Sequence, residues 1–395
     1  MVYHELARNL ADGVGYKAGG QWHTVYAPGY PFLLSLFYRV FGASVWVAYG
    51  LNAVCTAASA TFVALATRHV AAERSDELGA GAGCAFWLLA CLPATYGYVL
   101  TLNAESVVLF GVSLLCWQLA SRPHLARAVV ACSAVIGALG LTKPEFFLWG
   151  VLPVASVALG VLHRDGLPAA LRSSKVWRTA ALTGAVLVLC LAPWLARNSA
   201  LCGRVVTAPT SSSGATIWLT MHEPQLFSFD GNPDQVAAAQ TCAEQGGPDP
   251  FLVDACMRGE AKHQFRMHPG ASLRHVMRNI PTLFSGSHTE VFALPVRASF
   301  GEALHARRWG VVVTKVLSLA VHVGFFALGF YGLWQRRGSS QIQVFLLALV
   351  SVCGMYGVVV ATPRYALHVA PIFALAAGLA LSTNPWLRRV AALRP

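Results

Sequence analysis

Charged residues are scarce in this sequence. Asp, Glu, Lys and Arg make up 12% of its 395 residues, whereas soluble globular chains carry roughly 25%. Apolar residues make up 56%, and the mean hydropathy is +0.55. A soluble protein of this length would need a charged surface to cover its core. The composition therefore excludes a water-soluble globular protein and predicts an integral membrane protein.

Acidic residues are scarcer than basic ones. The chain has 17 Asp and Glu against 29 Lys and Arg, which gives a formal net charge of +12. A basic excess is typical of proteins that bind nucleic acids. Here, however, most of the cations lie in short segments between apolar runs, where they indicate membrane topology. The charge therefore predicts no nucleic-acid partner.

Several features of other protein classes are missing from the sequence. Its first 30 residues are polar and rich in glycine, without the basic start and apolar run of a signal peptide. It shows neither a repeat of fixed period nor a matched pair of broken helices in two halves, as transporters often do. No Cys spacing is typical of a metal site. The sequence thus assigns no metal ligand and no certain cofactor, although it leaves a divalent metal open.

Nine apolar runs approach the roughly 20 residues needed to cross about 30 Å of hydrocarbon. A shorter run, residues 31–41, is predicted to lie at the membrane surface or to re-enter the membrane. The predicted spans are about 45–67, 83–100, 103–120, 127–142, 146–162, 179–196, 309–334, 342–361 and 365–383.

The distribution of Lys and Arg over the short loops predicts the orientation. The short turns on one side contain only Lys143 and Arg364. The other side is therefore cytoplasmic. An odd number of spans then places the N-terminus outside, so we expect a further helix before Met1, unless the short tail crosses unaided. The cytoplasmic set is Arg68, Arg74, Arg122, Arg127, Arg164, Arg172, Lys175, Arg178, Arg336, Arg337, Arg388, Arg389 and Arg394.

The expected fold is an all-α polytopic membrane protein of about nine transmembrane helices with a small extracytoplasmic domain. In that domain, Cys242 and Cys256 either form a disulfide or remain free thiols, because spacing alone does not determine pairing. The expected segments are a first outer loop (1–44), six spans (45–196), an extracytoplasmic loop domain (197–308), three spans (309–383) and a cytoplasmic tail (384–395).

Charged side chains at the outer ends of the spans are the candidate functional residues. Charge close to hydrocarbon is costly, so its presence indicates function. Arg and Lys at this level are suited to an anionic lipid phosphate, and they would stabilise the charge of a phosphate leaving group. The residues are Glu105 in LTLNAES, Lys143 and Glu145 in LTKPEF, Arg197 in PWLARN, and Arg364 and His368 in TPRYALH.

Each of these residues also has a purely structural interpretation. Lys143 and Arg197 lie at helix ends, where cations extend to the interface. Arg364 could pair with Glu105 or Glu145 and serve packing only, and Glu105 could link two helices. A lone His such as His368 on an apolar helix is more often structural than catalytic.

Five stretches, in order, resemble the GT-C membrane glycosyltransferases, in particular the bacterial branch related to aminoarabinose transferases and protein O-mannosyltransferases. They are YHELARNLADGVGY with YAPGYPFLLSLFYRVFG, LTLNAES, GALGLTKPEF, APWLARNSALCGRVVTAPTSSSGATIWL and TPRYALHVAPIFALAAG. The resemblance runs from about residue 3 to residue 383. It implies transfer of a hexosyl or pentosyl group, with inversion and without a nucleotide, from a polyprenyl-phosphate donor. The implied active face is the outer face of the cytoplasmic membrane.

The resemblance also implies residue roles. Glu105 matches an acidic residue of the catalytic machinery that holds the acceptor or a basic partner. Lys143, Arg197 and Arg364 match cations suited to the donor phosphate. The family's general base is an Asp four residues before the tyrosine that Tyr3 matches, so we expect it upstream of Met1. The implied substrate groove contains Tyr3, Tyr26, Tyr30, Glu145, Tyr365 and His368.

Two other functions remain open at this point. A transporter or lipid flippase should show internal symmetry and midplane charges on broken helices, whereas the charges here lie at the outer boundary. A catalytically inactive relative, lacking the base carboxylate, would bind or scaffold. The sequence does not identify the sugar, nor whether the acceptor is a protein, a lipid or a polysaccharide.

Overall fold

The computed structural model is almost entirely helical and describes residues 2–72, 80–121, 126–222, 233–285, 299–359 and 362–383. The N-terminal segment contains α1 (Val2–Ala11), the strands β1 (Lys17–Ala18) and β2 (Gln21–Trp22), and α2 (Gly29–Phe41). The first helical bundle contains α3 (Val45–Ala72), α4 (Ala80–Ala90), α5 (Pro93–Val99), α6 (Glu105–Ser121), α7 (Ala126–Thr142), a 3₁₀ turn (Pro144–Gly150), α8 (Val151–Asp165), α9 (Leu167–Arg172) and α10 (Ser174–Cys202).

A second region outside the predicted spans follows α10. It contains α11 (Ser213–His222), α12 (Pro233–Gly246), α13 (Pro250–Met267), α14 (Pro269–Ser285) and α15 (Phe300–His305). The chain then returns to the bundle through α16 (Trp309–Gln335), α17 (Ser340–Val358), α18 (Pro363–Ala366), a 3₁₀ turn (Leu367–Val369) and α19 (Ala370–Ser382).

The helices confirm an all-α polytopic membrane protein. In the part of the chain that the structure describes, six helical segments are long and apolar enough to cross a membrane. The pair α4 and α5 adds a bent seventh, and α6 and α7 are shorter apolar helices. All nine predicted spans therefore coincide with helices. The predicted tail 384–395 lies outside the described residues, as do Met1, Arg74, Arg122, Arg388, Arg389 and Arg394.

One predicted span, residues 83–100, is broken in the structure. The chain bends by 50° between α4 and α5. Leu92 is extended, and Pro93 occupies the first turn of α5, where its missing N–H costs nothing. The break is therefore a consequence of Pro93, and it directs α5 toward the turn that precedes Glu105.

The centre of the bundle is α19, which packs against α3, α4, α6 and α16. Close approach depends on glycines at the helix crossings. A Cβ on Gly332 of α16 would lie 2.0 Å from the carbonyl oxygen of Ala376, and one on Gly378 would lie 2.5 Å from that of Gly81. Small residues at such crossings let helix backbones pack closely in membranes.

A short hairpin departs from the predicted all-helical pattern. The strands β1 and β2 pair antiparallel across Gly19 and Gly20. Both glycines have positive φ, 58° and 76°, the conformation that a two-residue hairpin turn requires. The dipeptide Gly19-Gly20 was the sequence signal for this turn.

The region between α10 and α16 has its own small core, and a disulfide joins Cys242 to Cys256. The structure thus decides between the two alternatives left open for these cysteines. The N-terminus of α11 is capped by Asp254, which accepts hydrogen bonds from Gly214 N at 2.5 Å and Ser213 Oγ at 3.0 Å. Burial raises the pKa of Asp254, and these hydrogen bonds and Arg258 partly oppose that shift.

Candidate functional site

Three charged side chains from distant parts of the sequence meet at one end of the bundle. Glu105 is the first residue of α6, Lys143 follows α7, and Arg364 lies in α18. Glu105 Oε1 is 3.3 Å from Lys143 Nζ and 3.0 Å from Arg364 Nε. Only 1% of the Glu105 side chain is exposed. We call these three residues the acid–cation cluster.

A polar residue of α3 holds the turn that places Glu105. Asn52 Nδ2 donates to the carbonyl oxygens of Thr101 at 2.9 Å and Val99 at 3.4 Å. Asn52 Oδ1 accepts from Tyr30 at 3.4 Å. The turn delivers Glu105 to the N-terminus of α6, where the helix dipole favours a negative charge. Asn52 was missed by the sequence analysis, and its signal was a buried amide within an apolar span.

The acid–cation cluster carries more positive than negative charge. One carboxylate faces two cations, and Glu105 Oε2 is buried without a hydrogen-bond partner among the described residues. The side chain of Lys143 is 11% exposed and that of Arg364 is 37% exposed. An unbalanced cation pair with a partly exposed arginine side chain is suited to an anionic ligand.

Two stacked tyrosines form a wall beside the cations. The rings of Tyr356 and Tyr365 are 4.1 Å apart and nearly parallel, at 7°. Lys143 Nζ lies 4.9 Å from the centroid of the Tyr365 ring, and Arg364 Cζ lies 5.3 Å from it. Cations at such distances from an aromatic face are attracted to it. The predicted residue Tyr365 therefore lies beside both cations.

The hydroxyl of Tyr356 connects two further predicted site residues, Glu145 and His368. It donates a hydrogen bond to Glu145 Oε1 and lies 3.1 Å from His368 Nδ1. His368 is fully buried, and its Nε2 has no hydrogen-bond partner among the described residues. Sequence analysis missed Tyr356, because a tyrosine in an apolar helix is equally typical of an interfacial position.

The tyrosines predicted from the N-terminal segment lie together next to the acid–cation cluster. The ring of Tyr3 is 5.0 Å from that of Tyr26 and 5.4 Å from that of Tyr30. Burial, together with the nearby negative charge of Glu105, raises the pKa of Tyr3 above its ordinary value. Tyr3 is therefore a neutral phenol at physiological pH, able to donate a hydrogen bond.

The general base implied by the resemblance was expected upstream of Met1. Met1 itself lies outside the described residues, which begin at Val2. The structure therefore does not test the position of that carboxylate or the helix expected before it, and both stay predictions. The position of the base was predicted relative to Tyr3. The ring of Tyr3 lies among the N-terminal tyrosines beside the cluster.

Arg197 makes different contacts from the other predicted cations. It donates to the carbonyl oxygens of His23 at 3.0 Å and Tyr16 at 3.4 Å, and to Asn198 Oδ1 at 2.9 Å. None of its hydrogen bonds or ring contacts with the described residues involves the acid–cation cluster. The other nine predicted site residues form two adjoining groups, whereas Arg197 lies against the N-terminal hairpin.

The described residues contain no ready-made set of metal ligands. Among those residues, no three or more His, Cys, Asp or Glu side chains are grouped closely enough to hold a metal ion. The polar groups that the described site offers to a ligand are its cations, its carboxylates and its tyrosine hydroxyls.

Comparison with solved structures finds similar folds. The crystal structure of the Archaeoglobus fulgidus oligosaccharyltransferase tethered with an acceptor peptide has a TM-score of 0.51 and 14% identity, over 96% of this chain and 45% of that chain. AglB from Archaeoglobus fulgidus, in complex with an inhibitory peptide and a dolichol-phosphate, has a TM-score of 0.49 and 14% identity, over 97% and 46%. ArnT from Cupriavidus metallidurans bound to undecaprenyl phosphate has a TM-score of 0.42 and 14% identity, over 96% and 72%.

No protein-family model and no curated protein matches the sequence. The chain spans less than half the length of the archaeal oligosaccharyltransferase to which it is similar. The first structural likeness shows that the fold is GT-C-like, as the sequence motifs predicted.

Proposed function

We propose that this protein is a GT-C-type glycosyltransferase that moves a sugar from a polyprenyl-phosphate donor to an acceptor, with inversion at the sugar carbon. Transfer takes place on the extracytoplasmic face of the cytoplasmic membrane. The observation that carries the proposal is the acid–cation cluster, in which two cations share one buried carboxylate at the end of a GT-C-like bundle. The archaeal protein of similar fold is an oligosaccharyltransferase.

In this proposal Lys143 and Arg364 bind the donor phosphate. The planar guanidinium of Arg364 can donate two parallel hydrogen bonds to phosphate oxygens, whereas Lys143 supplies a compact positive charge. As the bond between the sugar carbon and the phosphate oxygen breaks, negative charge grows on the leaving phosphate. Cations already in position stabilise that charge without reorganisation.

Glu105 acts in the same proposal as the residue that orients the two cations. Its Oε1 is engaged with both Lys143 and Arg364, and its side chain is almost completely buried. Without this carboxylate the two cations would repel each other at close range. The tyrosine wall and the N-terminal tyrosines then flank the space in which sugar and acceptor meet.

The proposal is tested with purified full-length protein and polyprenyl-phosphate-linked sugars. We expect transfer to an added acceptor without any nucleotide sugar. Lys143→Ala should lower kcat by about 10²-fold or more, the usual effect of removing one group that stabilises transition-state charge.

The matched control is Lys175→Ala, which removes an exposed lysine from the beginning of α10, in a segment predicted to be cytoplasmic. This variant should retain the full rate. Equal rates for wild-type protein and Lys143→Ala would remove Lys143 from the site. Binding of the lipid donor without any transfer would instead favour a flippase or an inactive relative.

A further inference from the structure

The guanidinium of Arg197 is enclosed by aromatic rings. Its Cζ lies 4.6 Å from the ring of Trp194, 5.5 Å from that of Trp22 and 5.6 Å from that of Tyr16. Trp194 belongs to α10, as Arg197 does, whereas Trp22 and Tyr16 belong to the N-terminal segment. Two separate parts of the chain thus contribute to one cation–π enclosure.

The hydrogen bonds of Arg197 reach both ends of the hairpin. Tyr16 immediately precedes β1 and His23 immediately follows β2, and the guanidinium donates to the carbonyl oxygens of both. Arginine presents five N–H donors in a planar arrangement, so one side chain can bridge two carbonyl groups. A lysine ammonium is a point charge with a different donor geometry.

A second set of contacts fastens the same segment to the chain that follows α10. Thr24 Oγ1 and Ser211 Oγ are 2.8 Å apart, and Ser211 N donates to Thr24 O at 3.0 Å. The segment containing Ser211 is itself tied to α10, because Trp194 Nε1 donates to the carbonyl oxygen of Pro209 at 2.7 Å. The hairpin, residues 206–212 and the end of α10 are therefore joined in one network.

This network ends at the candidate site. The Tyr16 hydroxyl donates to the carbonyl oxygens of Tyr26 and Ala27 at 3.0 Å each, and the ring of Tyr26 contacts that of Tyr3. A displacement of the hairpin would therefore shift Tyr26 and disturb its contact with Tyr3 beside the acid–cation cluster.

We propose that Arg197 is a positioning residue that fastens the N-terminal hairpin to α10 and thereby sets the position of Tyr26 and Tyr3 at the site. This role replaces the direct contact with the donor phosphate that the sequence predicted for Arg197. The catalytic consequence rests on the proposed function, whereas the fastening itself does not.

The fastening is measured by hydrogen–deuterium exchange of residues 16–27 in the purified protein. Arg197→Ala should raise the exchange rate of this segment at least about tenfold, since it removes two hydrogen bonds and two ring contacts to the segment. Arg197→Lys should give an intermediate increase. The matched control is Arg204→Ala, which removes a nearby exposed arginine paired with Asp249 and should leave exchange in residues 16–27 unchanged.

The effect on catalysis is tested by replacing the Arg197 contacts with a covalent link between the N-terminal segment and the chain that follows α10. The hydroxyl oxygens of Thr24 and Ser211 are 2.8 Å apart and their backbones share a hydrogen bond, so the two positions are chosen for an engineered disulfide. In an Arg197→Ala background, the oxidised Thr24→Cys/Ser211→Cys protein should recover transfer to within about threefold of wild type, and reduction should abolish the recovery. Wild-type protein treated with the same reductant controls for loss of the Cys242–Cys256 bond.

Two results would overturn the proposal. The first is unchanged exchange of residues 16–27 in Arg197→Ala. The second is an oxidised, cross-linked protein whose hairpin is protected from exchange but which transfers no sugar under conditions where wild type does, because Arg197 would then act on the substrate itself. Absence of transfer in wild type would count against the proposed function only, since the exchange measurement needs no activity.

Discussion

Individual side chains at the acid–cation cluster show how charge is tolerated at the end of a membrane bundle. Glu105 is buried, and both of its cationic neighbours are partly accessible. A buried ion pair contributes little net stability, because desolvating the charges offsets their attraction. In the proposed function, this carboxylate instead holds two cations at a defined separation for an anionic ligand.

The role of Glu105 leads to a prediction on stability. Glu105→Gln keeps the shape of the side chain and leaves Lys143 and Arg364 without a counter-charge. Breaking a buried pair costs about 3–5 kcal/mol, and we expect the lower end because Arg364 is partly exposed. Thermal unfolding of the purified protein should show a lower Tm than wild type.

The control for this prediction removes both charges of the more buried pair, Glu105 and Lys143. Glu105→Gln combined with Lys143→Met leaves only Arg364 without its partner, so it should recover part of the lost Tm. If Glu105→Gln unfolds at the wild-type temperature, the carboxylate does not stabilise the two cations.

Residues selected from the sequence by the same criterion make different contacts in the structure. Glu105, Lys143 and Arg364 were selected because charge at the end of an apolar helix is rare, and the structure brings them together. Arg197 satisfied the same criterion, yet its partners are backbone carbonyls and aromatic rings. The difference is not encoded locally, because every one of these cations lies at a helix end next to aromatic residues.

At the scale of helices, the packing of α16 on α19 depends on glycine, which has no side chain. Gly332 lies against the backbone of α19, where an added Cβ would overlap the carbonyl of Ala376. Gly324 lies in the same helix with no heavy atom within 4 Å of an added Cβ. The two glycines therefore separate the effect of crowding from the effect of helix propensity.

We expect Gly332→Ala to lower Tm strongly, because the two helices must move apart to accept the methyl group and forcing additional groups into packed interiors typically costs about 1–3 kcal/mol. Gly324→Ala should leave Tm unchanged or raise it slightly, because alanine is the better helix former. Thermal unfolding of both variants checks the prediction. Similar behaviour of the two variants would show that the close crossing of α16 and α19 is absent in solution.

Helix positions were predictable because apolar runs are a local property of the sequence. The predicted limits differ from the observed ones where a proline breaks the run, as at Pro93, and where a helix extends beyond its apolar run, as in α3 and α10. The β1–β2 hairpin was not predicted, because its strands of two residues each carry too little periodicity to be recognised.

The whole molecule combines a helical bundle with a disulfide-containing region that joins α10 to α16. The Lys and Arg distribution predicts that this region faces the extracytoplasmic side and that the turn between α16 and α17 faces the cytoplasm. Both regions have a glycine that offers open space for a new side chain, Gly259 in α13 and Gly338 in the turn.

The topology prediction is tested in intact cells with a membrane-impermeant thiol reagent. Gly259→Cys should be labelled above the wild-type background, whereas Gly338→Cys should be labelled only after the membrane is permeabilised. The wild-type protein, with its own free cysteines, provides the background. The reverse pattern would place the candidate site on the cytoplasmic side and would contradict the proposed face of transfer.

The sequence by itself determined that lipid surrounds this chain, where its helices lie and which ends of them carry charge. These properties follow from composition and from the order of neighbouring residues, because hydrocarbon and membrane potential act on each segment separately. Only the tertiary structure decided that Glu105 pairs with Lys143 and Arg364, that Tyr356 joins Glu145 to His368, and that Arg197 donates to the hairpin backbone. Partners of this kind depend on how helices pack, and packing brings together residues that no local pattern connects.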